Sequence, residues 1–444
     1  MAVCLAALAL VVAGCSSSPK SSNGATTPLT QRSAAAITYA VGQMQQTYVD
    51  TSRTTPAWGP NPARGSRTLS TTVLYPASAS GTTPDRSNAP YPIVMFSHGL
   101  GASLKLYMPL LRKLAAAGFV VAAPRFPLSN SETPGGPDAG DVVNQPGDIS
   151  YVLTQVLRAA NENNGTLAGL VNPDEVGVAG HSNGAITTLG LAANTCCRDT
   201  RAKAAVVMAG TTESYPGGRY DFTNAPPILI VHGTNDALIP YNEGVAVFNR
   251  ARGPKGLLTV RNGDHGSAAA ITGASASVIV RTVVDFLDSA LRGGSATGGR
   301  LVDAAKSSAT SLKYVAQPGS TETIPTVPTP KANLHAAVNP SRNLSAGQKV
   351  TVTWSGYTPG KVVNVLQCSA SDRDLSNSAG CDFSQAAVLH PDPTGAGSLQ
   401  LEIVEGKVGN SVCDATHQGC FIVVNNASSP DPAASVKLPI TFAS

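Results

Sequence analysis

The chain is poor in charge. Asp, Glu, Lys and Arg make up 13% of its 444 residues, and the formal net charge is +4. No block of Lys or Arg stands behind that small excess, so the electrostatic footprint of a nucleic-acid-binding protein is missing. Also missing is a membrane-spanning helix at the N-terminus: the apolar stretch from Ala2 to Gly14 is too short to cross a bilayer. The adjacent Cys196 and Cys197 have no His or third Cys nearby at ligand spacing, which speaks against a metal site there. What the chain does have is Gly (43) and Pro (32), with an apolar fraction of 42%. That profile suits a loop-rich, extracytoplasmic protein with ordinary cores, and the length suggests two domains.

The N-terminus reads as a targeting segment, residues 1–15. Its apolar run ends in Val12-Ala13-Gly14-Cys15, followed by Ser16-Ser17-Ser18. This resembles the bacterial lipobox, in which the cysteine is lipidated and becomes the first mature residue, although no Lys or Arg precedes the run. The expectation is lipidation at Cys15 and a protein on the extracytoplasmic face of a bacterial membrane; simple secretion with cleavage nearby is the alternative. Residues 16–34, rich in Ser, Thr, Asn and Pro, read as a tether. Of the eight cysteines, Cys4 leaves with the signal and Cys15 carries lipid, leaving six. An even set in an exported protein suggests disulfides. Cys196 and Cys197 are adjacent and form either a vicinal disulfide or two thiols.

Residues 35–292 alternate short apolar runs with helical stripes. Strands are predicted at 68–75 (ending at Pro76), 93–96, 119–123, 176–179, 204–208, 228–231 and 257–260. Between them, Leu106, Leu110, Leu111 and Leu114 share one helical face, a second helix opens at Asp148, a third covers 185–193, and a last carries Val280, Val283, Val284, Phe286, Leu287 and Leu291. This is the pattern of a parallel α/β sheet, whose reactive groups lie at the strands' carboxyl ends. Residues 293–332, rich in Gly, Pro and Thr, read as a linker, with Leu301, Val302 and Leu312 expected to pack on the first domain. From 333 to 444 only short strands remain, as in a β-sandwich, and Pro439 predicts that the last strand lies at a sheet edge.

Gly180-His181-Ser182-Asn183-Gly184 falls between a strand and a helix. By chance, a G-x-S-x-G string turns up about 0.4 times in a chain this rich in Gly and Ser, so the context carries the argument. A serine there sits on a sharp corner with free N–H groups of a helix N-terminus behind it. Acyl transfer needs a base, an acid to orient it, and oxyanion donors. His265, in a Gly-rich loop after the last strand, is the candidate base. His98 and His232 each precede a glycine in a turn, His181 is expected to point away from the cleft, and His335, His390 and His417 belong to the second domain. Asp236 is the candidate acid, with Glu213 as its rival; Asp264 is read as loop structure beside His265. The backbone N–H groups of Leu100 and Asn183 are the candidate oxyanion donors.

Several of these pieces carry a resemblance: Tyr48-Val49-Asp50-Thr51-Ser52-Arg53, Thr72-Val73-Leu74-Tyr75-Pro76, Phe96-Ser97-His98-Gly99-Leu100-Gly101, the Ser182 pentapeptide and Val231-His232-Gly233-Thr234-Asn235-Asp236. Residues 35–292 resemble an α/β-hydrolase of the dienelactone-hydrolase and platelet-activating-factor-acetylhydrolase-like branch, with kinship to chlorophyllase and cutinase-type esterases. The resemblance implies hydrolysis of carboxylic esters, lipid-like ones among them, through an acyl-enzyme on Ser182 and with no cofactor. Dienelactone hydrolases use cysteine where this chain has Ser182. Polyester-degrading relatives usually carry an aromatic and a Met where it has Leu100 and Asn183.

The second domain has its own resemblance. Val338-Asn339-Pro340-Ser341, Leu344-Ser345, Val365-Leu366-Gln367-Cys368, the stretch from Val412-Cys413 to Cys420, and Ala427 to Thr441 resemble the neocarzinostatin-type, immunoglobulin-like sandwich. That resemblance implies two short-loop disulfides, Cys368 with Cys381 and Cys413 with Cys420. It also supplies the alternative function, capture of an apolar small molecule by the sandwich with the hydrolase domain secondary. A third possibility has the sandwich present a ligand to the serine site.

Overall fold

The computed structural model describes residues 38–443 except 80, 272, 294–297, 327–333, 358–362, 370–380, 390–391, 393, 409–410, 418 and 427–434. The signal segment with Cys15, the tether 16–34 and part of the linker lie outside the described residues.

One nine-stranded sheet organises residues 40–315. Its strands are β1 (Ala40–Asp50), β2 (Arg67–Ala77), β3 (Tyr91–Ser97), β4 (Val120–Arg125), β5 (Val171–His181), β6 (Ala202–Met208), β7 (Ile228–Gly233), β8 (Lys255–Val260) and β9 (Thr310–Val315), in the spatial order β1-β2-β4-β3-β5-β6-β7-β8-β9. From β4 to β8 every neighbouring pair is parallel, while β1, β2 and β9 run antiparallel to their neighbours. Helices α1 (Met108–Ala116), α2 (Gln145–Ala160), α3 (Asn183–Ala193), α4 (Tyr241–Arg250), α5 (Ala276–Arg292) and the short α6 (Gly298–Ala304) accompany it.

The unbroken apolar runs follow from this layering. In β3, Ile93 and Met95 join the core with Ile149, Val152 and Val156 of α2 and Phe248 of α4. Val94 and Phe96 join the other, with Leu110, Leu111 and Leu114 of α1 and Val283, Phe286 and Leu287 of α5. A strand covered on both faces has no polar side to show. All of α3 is buried, which explains why it carries no charged residue.

The structure departs from the sequence reading in four places. Strand β2 runs through Pro76 to Ala77; its pairing with β4 ends at Leu74, so the missing N–H falls where only β1 is alongside. Helix α2 opens at Gln145 rather than Asp148, with Pro146 in its first turn, where proline fits. The segment read as linker contains α6 and the edge strand β9, and Leu301 and Leu312 are buried in the second core. Beyond β9 the chain still touches the sheet: Lys255 Nζ donates to the carbonyls of Phe248, Ala251 and Glu322 at 3.0, 2.9 and 2.6 Å. Finally, β1 and α4 had no counterpart in the sequence reading.

A buried charge network ties β2 to the segment leading into α2. Arg67 bonds Asp141 and Asp148 with all three side chains sealed from water, and Arg53 reaches Asp148 at 2.7 Å. Burial pushes the Asp148 carboxyl up, against the hydrogen bond and charge of Arg67.

The described residues from Leu334 onward form the sandwich. Strands β10 (His335–Asn339), β11 (Lys349–Ser355) and β14 (Gly397–Glu402) make one sheet; β12 (Val363–Cys368), β13 (Cys381–Leu389), β17 (Phe421–Asn426) and β18 (Ser435–Pro439) make another, and β15 (Gly406–Val408) pairs with β16 (Ser411–Cys413). Val350, Val352 and Trp354 meet Val363, Val365, Ile422 and Val424 in the core between the sheets. Strand β18 with Pro439 is at the edge, as its proline predicts. Disulfides join Cys368 to Cys381 and Cys413 to Cys420, and Cys196 to its neighbour Cys197. Disulfides persist outside the reducing cytoplasm, which points to an extracytoplasmic location.

Candidate active site

Ser182 is the single residue between the end of β5 and the start of α3. It is held at φ 58°, ψ −125°, a conformation costing about 1–3 kcal/mol for a residue with a side chain. Three backbone bonds hold it: Ser182 N–H donates to Met208 O at 2.9 Å, and the N–H groups of Ala185 and Ile186 donate to Ser182 O at 2.8 and 3.2 Å. The flanking glycines are obligatory for steric reasons. A Cβ on Gly180 would stand 2.1 Å from the carbonyl oxygen of Gly184, and one on Gly184 would stand 2.0 Å from that of Ser97. Both obstacles are backbone and have no rotamer to escape into. Gly184→Ala is therefore expected to abolish soluble folded protein, read by expression yield and circular dichroism. Gly299→Ala, with nothing within 4 Å of the new methyl, is the neutral control.

The loops after β7 and β8 bring Asp236 and His265 together. Asp236 Oδ2 lies 2.8 Å from His265 Nδ1, while Oδ1 accepts the backbone N–H groups of Leu238 and Ile239, both at 2.9 Å. His232 Nε2 donates to Ile239 O at 2.7 Å and stands 3.4 Å from Asp236 Oδ2. Burial opposes charge on Asp236, but the hydrogen bonds and charge of His232 and His265 prevail and hold its carboxyl well below the usual carboxylate range. An ionised Asp236 accepts the Nδ1–H of His265 and leaves Nε2 of that ring as the basic nitrogen. The Asp236 side chain is sealed while that of His265 is 16% exposed, so the pair is graded from interior to rim. Asp264 accepts from the backbone N–H and hydroxyl of Ser267 at 2.8 and 2.6 Å and so braces the loop. Glu213 is buried beyond β6 and is not the partner at His265 Nδ1.

The loop after β3 approaches the elbow closely. A Cβ on Gly99 would be 2.9 Å from Tyr107 Oη and 3.2 Å from Ser182 Cβ, so a side chain there would crowd the loop against the elbow. His98, fully buried, clamps one side of this loop. Its Nε2 accepts Phe126 N–H at 3.1 Å, so its Nδ1 carries the proton and donates to Gly99 O at 2.8 Å. Burial pushes the His98 imidazole down to about 4, so it stays neutral in this role. With the Gly99 carbonyl held, the planar trans peptide turns the Leu100 N–H to the opposite side. Among the described residues, neither Leu100 N–H nor Asn183 N–H donates to a protein acceptor. The Asn183 side-chain amide nitrogen is also buried without a partner.

The sequence reading explained His98 by turn geometry, and the structure makes it an anchor of the candidate oxyanion loop. It also expected His181 to point away from the cleft. Its ring is buried, at 4% exposure, and packs 4.7 Å from that of His265. The one available signal was a histidine placed directly before Gly99 and another directly before Ser182. Among the described residues, no cluster of three or more His, Cys, Asp or Glu is gathered as a metal site.

The sheet, the strained serine corner and the Asp–His pair define the first domain as an α/β-hydrolase. Residues 63–229 match the chlorophyllase family and residues 336–442 match the neocarzinostatin family, so the chain joins a chlorophyllase-family domain to a neocarzinostatin-family one. Over 80 residues it is 34% identical to the uncharacterized protein YfhR of Escherichia coli (strain K12), covering 18% of this chain and 28% of that protein. Over 66 residues it is 36% identical to macromomycin of Streptomyces macromomyceticus, covering 15% of this chain and 44% of that protein. The chain thus spans less than half the length of either relative. A ferulic acid esterase from Streptomyces cinnamoneus superposes with a TM-score of 0.45 at 24% identity, covering 59% of this chain and 93% of that one. The chlorophyllase-family match supports an ester hydrolase.

Proposed function

We propose that the protein is an exported, membrane-anchored serine hydrolase that cleaves carboxylic esters through an acyl-enzyme on Ser182. The observation carrying this reading is the 2.8 Å contact between Asp236 and His265, with the His265 loop bonded to the residue preceding Ser182. In the acylation step, Ser182 Oγ attacks the ester carbonyl carbon and its proton passes to His265 Nε2. Asp236 holds the imidazolium that forms. The N–H groups of Leu100 and Asn183 receive the negative oxygen. Collapse breaks the bond to the alcohol, which leaves with the proton from His265. Water, deprotonated by the same imidazole, then attacks the acyl-enzyme, releases the carboxylic acid and restores the serine. The anchor is assigned to lipid on Cys15, and the sandwich is an accessory domain stapled by disulfides.

An alkyl fluorophosphonate tests the chemistry. The expected result is stoichiometric loss of p-nitrophenyl ester hydrolysis with a single phosphonyl adduct on the peptide containing Ser182, found by mass spectrometry. An adduct elsewhere, or full activity after treatment, would reject the assignment.

A further inference from the structure

We propose that Tyr107 and His181 are positioning residues, which lock the candidate oxyanion loop to the loop carrying His265 through one hydrogen-bonded chain. The proposal rests on the serine-hydrolase reading of Ser182, Asp236 and His265, and adds two residues to it.

The chain has three links. Gly99 N–H donates to Tyr107 Oη at 3.0 Å, Tyr107 Oη lies 3.0 Å from His181 Nδ1, and His181 Nε2 lies 2.9 Å from the carbonyl oxygen of His265. Chemistry dictates the direction of each. A carbonyl only accepts, so the proton of His181 is on Nε2. Burial first, and the neighbouring His265 second, push the His181 imidazole down to about 3, so the ring is neutral and Nδ1 is bare. Nδ1 then accepts the Tyr107 hydroxyl, whose own pKa burial pushes up to about 12. The hydroxyl oxygen is left to accept Gly99 N–H. Every donor points the same way, from the oxyanion loop to the base loop, an arrangement in which each bond strengthens the next.

The consequence for the site is specific. Gly99 N–H is consumed by Tyr107 and Gly99 O by His98, so both ends of this residue are clamped, and the planar peptide fixes Leu100 N–H on the side opposite the Gly99 carbonyl. At the far end, the backbone of His265 is held by the residue next to the nucleophile. Donor and base thus hang from the same two side chains, Tyr107 at 1% exposure and His181 at 4%. The rings also pack in series: Phe96 to Tyr107 at 5.0 Å, Tyr107 to His181 at 5.7 Å and His181 to His265 at 4.7 Å. Removing only the hydroxyl leaves that packing in place.

The test compares Tyr107→Phe, His181→Ala and the double variant in the full-length protein on p-nitrophenyl butyrate. Tyr107→Phe is expected to lower kcat about tenfold to a hundredfold with KM within about threefold, since the lost interaction acts on the transition state. The double variant should be no slower than His181→Ala alone, because one broken link already disables the chain. An unchanged kcat in Tyr107→Phe, or losses that multiply in the double variant, overturns the proposal. A second measurement needs no variant: 15N spectra of the native protein should show His181 as the neutral Nε2–H tautomer from about pH 5 to 8. A proton on Nδ1 overturns the chain even if a variant fails to fold. A wild-type protein inactive on every ester rejects the enzyme reading, whereas an active wild type with an indifferent Tyr107→Phe rejects only the coupling.

Discussion

Ser182→Ala is expected to lower kcat/KM for p-nitrophenyl butyrate by about 10⁵–10⁶-fold, the scale on which nucleophile removal acts in serine hydrolases. The same substitution should leave the fold intact. The Ser182 side chain caps no helix N–H, and the backbone bonds from Ser182 N–H to Met208 O and from Ala185 N–H to Ser182 O do not involve its hydroxyl. A change within about 0.5 kcal/mol is therefore expected in urea unfolding. Near-total loss of turnover at unchanged stability is a signature that damage to the core cannot imitate. Retained turnover would remove Ser182 from the chemistry and with it the acyl-enzyme.

Asp236→Asn should produce the second-largest effect, about 10³–10⁴-fold in kcat, with KM nearly unchanged. The reason lies in the four contacts of the carboxylate. Oδ1 accepts two backbone N–H groups and Oδ2 faces both His265 and His232. Asparagine has a single oxygen. If that oxygen stays with Leu238 and Ile239, the new NH2 group faces His265 Nδ1, forces the proton onto Nε2 and blocks the base. If the amide flips, the NH2 group confronts two backbone donors in a buried place. Either orientation loses the productive tautomer or a pair of buried bonds. Glu213→Gln is the comparison, expected to change kcat by no more than about threefold. Were Glu213→Gln the more damaging of the two, the acid would have to be reassigned.

Much of the sheet was legible because its central strands are covered on both faces. β3, β4, β6, β7 and β8 read as continuous apolar runs that no loop would carry. The two missed strands are edge elements. β1, with Gln43, Gln45 and Gln46, is mostly exposed or half-buried along its length. β9 sits in a stretch whose glycines and prolines read as linker, and only half of its residues are fully buried. An edge strand needs only one neighbour, so its sequence is free to be polar and its identity comes from pairing rather than pattern.

The site divides in the same way. A serine between two glycines at a strand-to-helix junction needs no third dimension to be noticed, because the corner itself demands those glycines. A histidine after the last parallel strand and an acid after the one before it follow from the rule that reactive groups sit at carboxyl ends. Composition and local pattern therefore carried the two folds and the candidate nucleophile, base and acid.

Which carboxylate reaches His265, whether Cys196 bonds Cys197, and that His98, Tyr107 and His181 brace the site were decided only when the chain closed on itself. Tyr107 and His181 are 74 residues apart, and His181 and His265 are 84 apart. A hydrogen bond reaches about 3 Å and is blind to distance along the chain. The apolar periods that shape a sheet are local, so sequence records them; a contact between side chains from different loops exists only once packing has fixed where each loop ends.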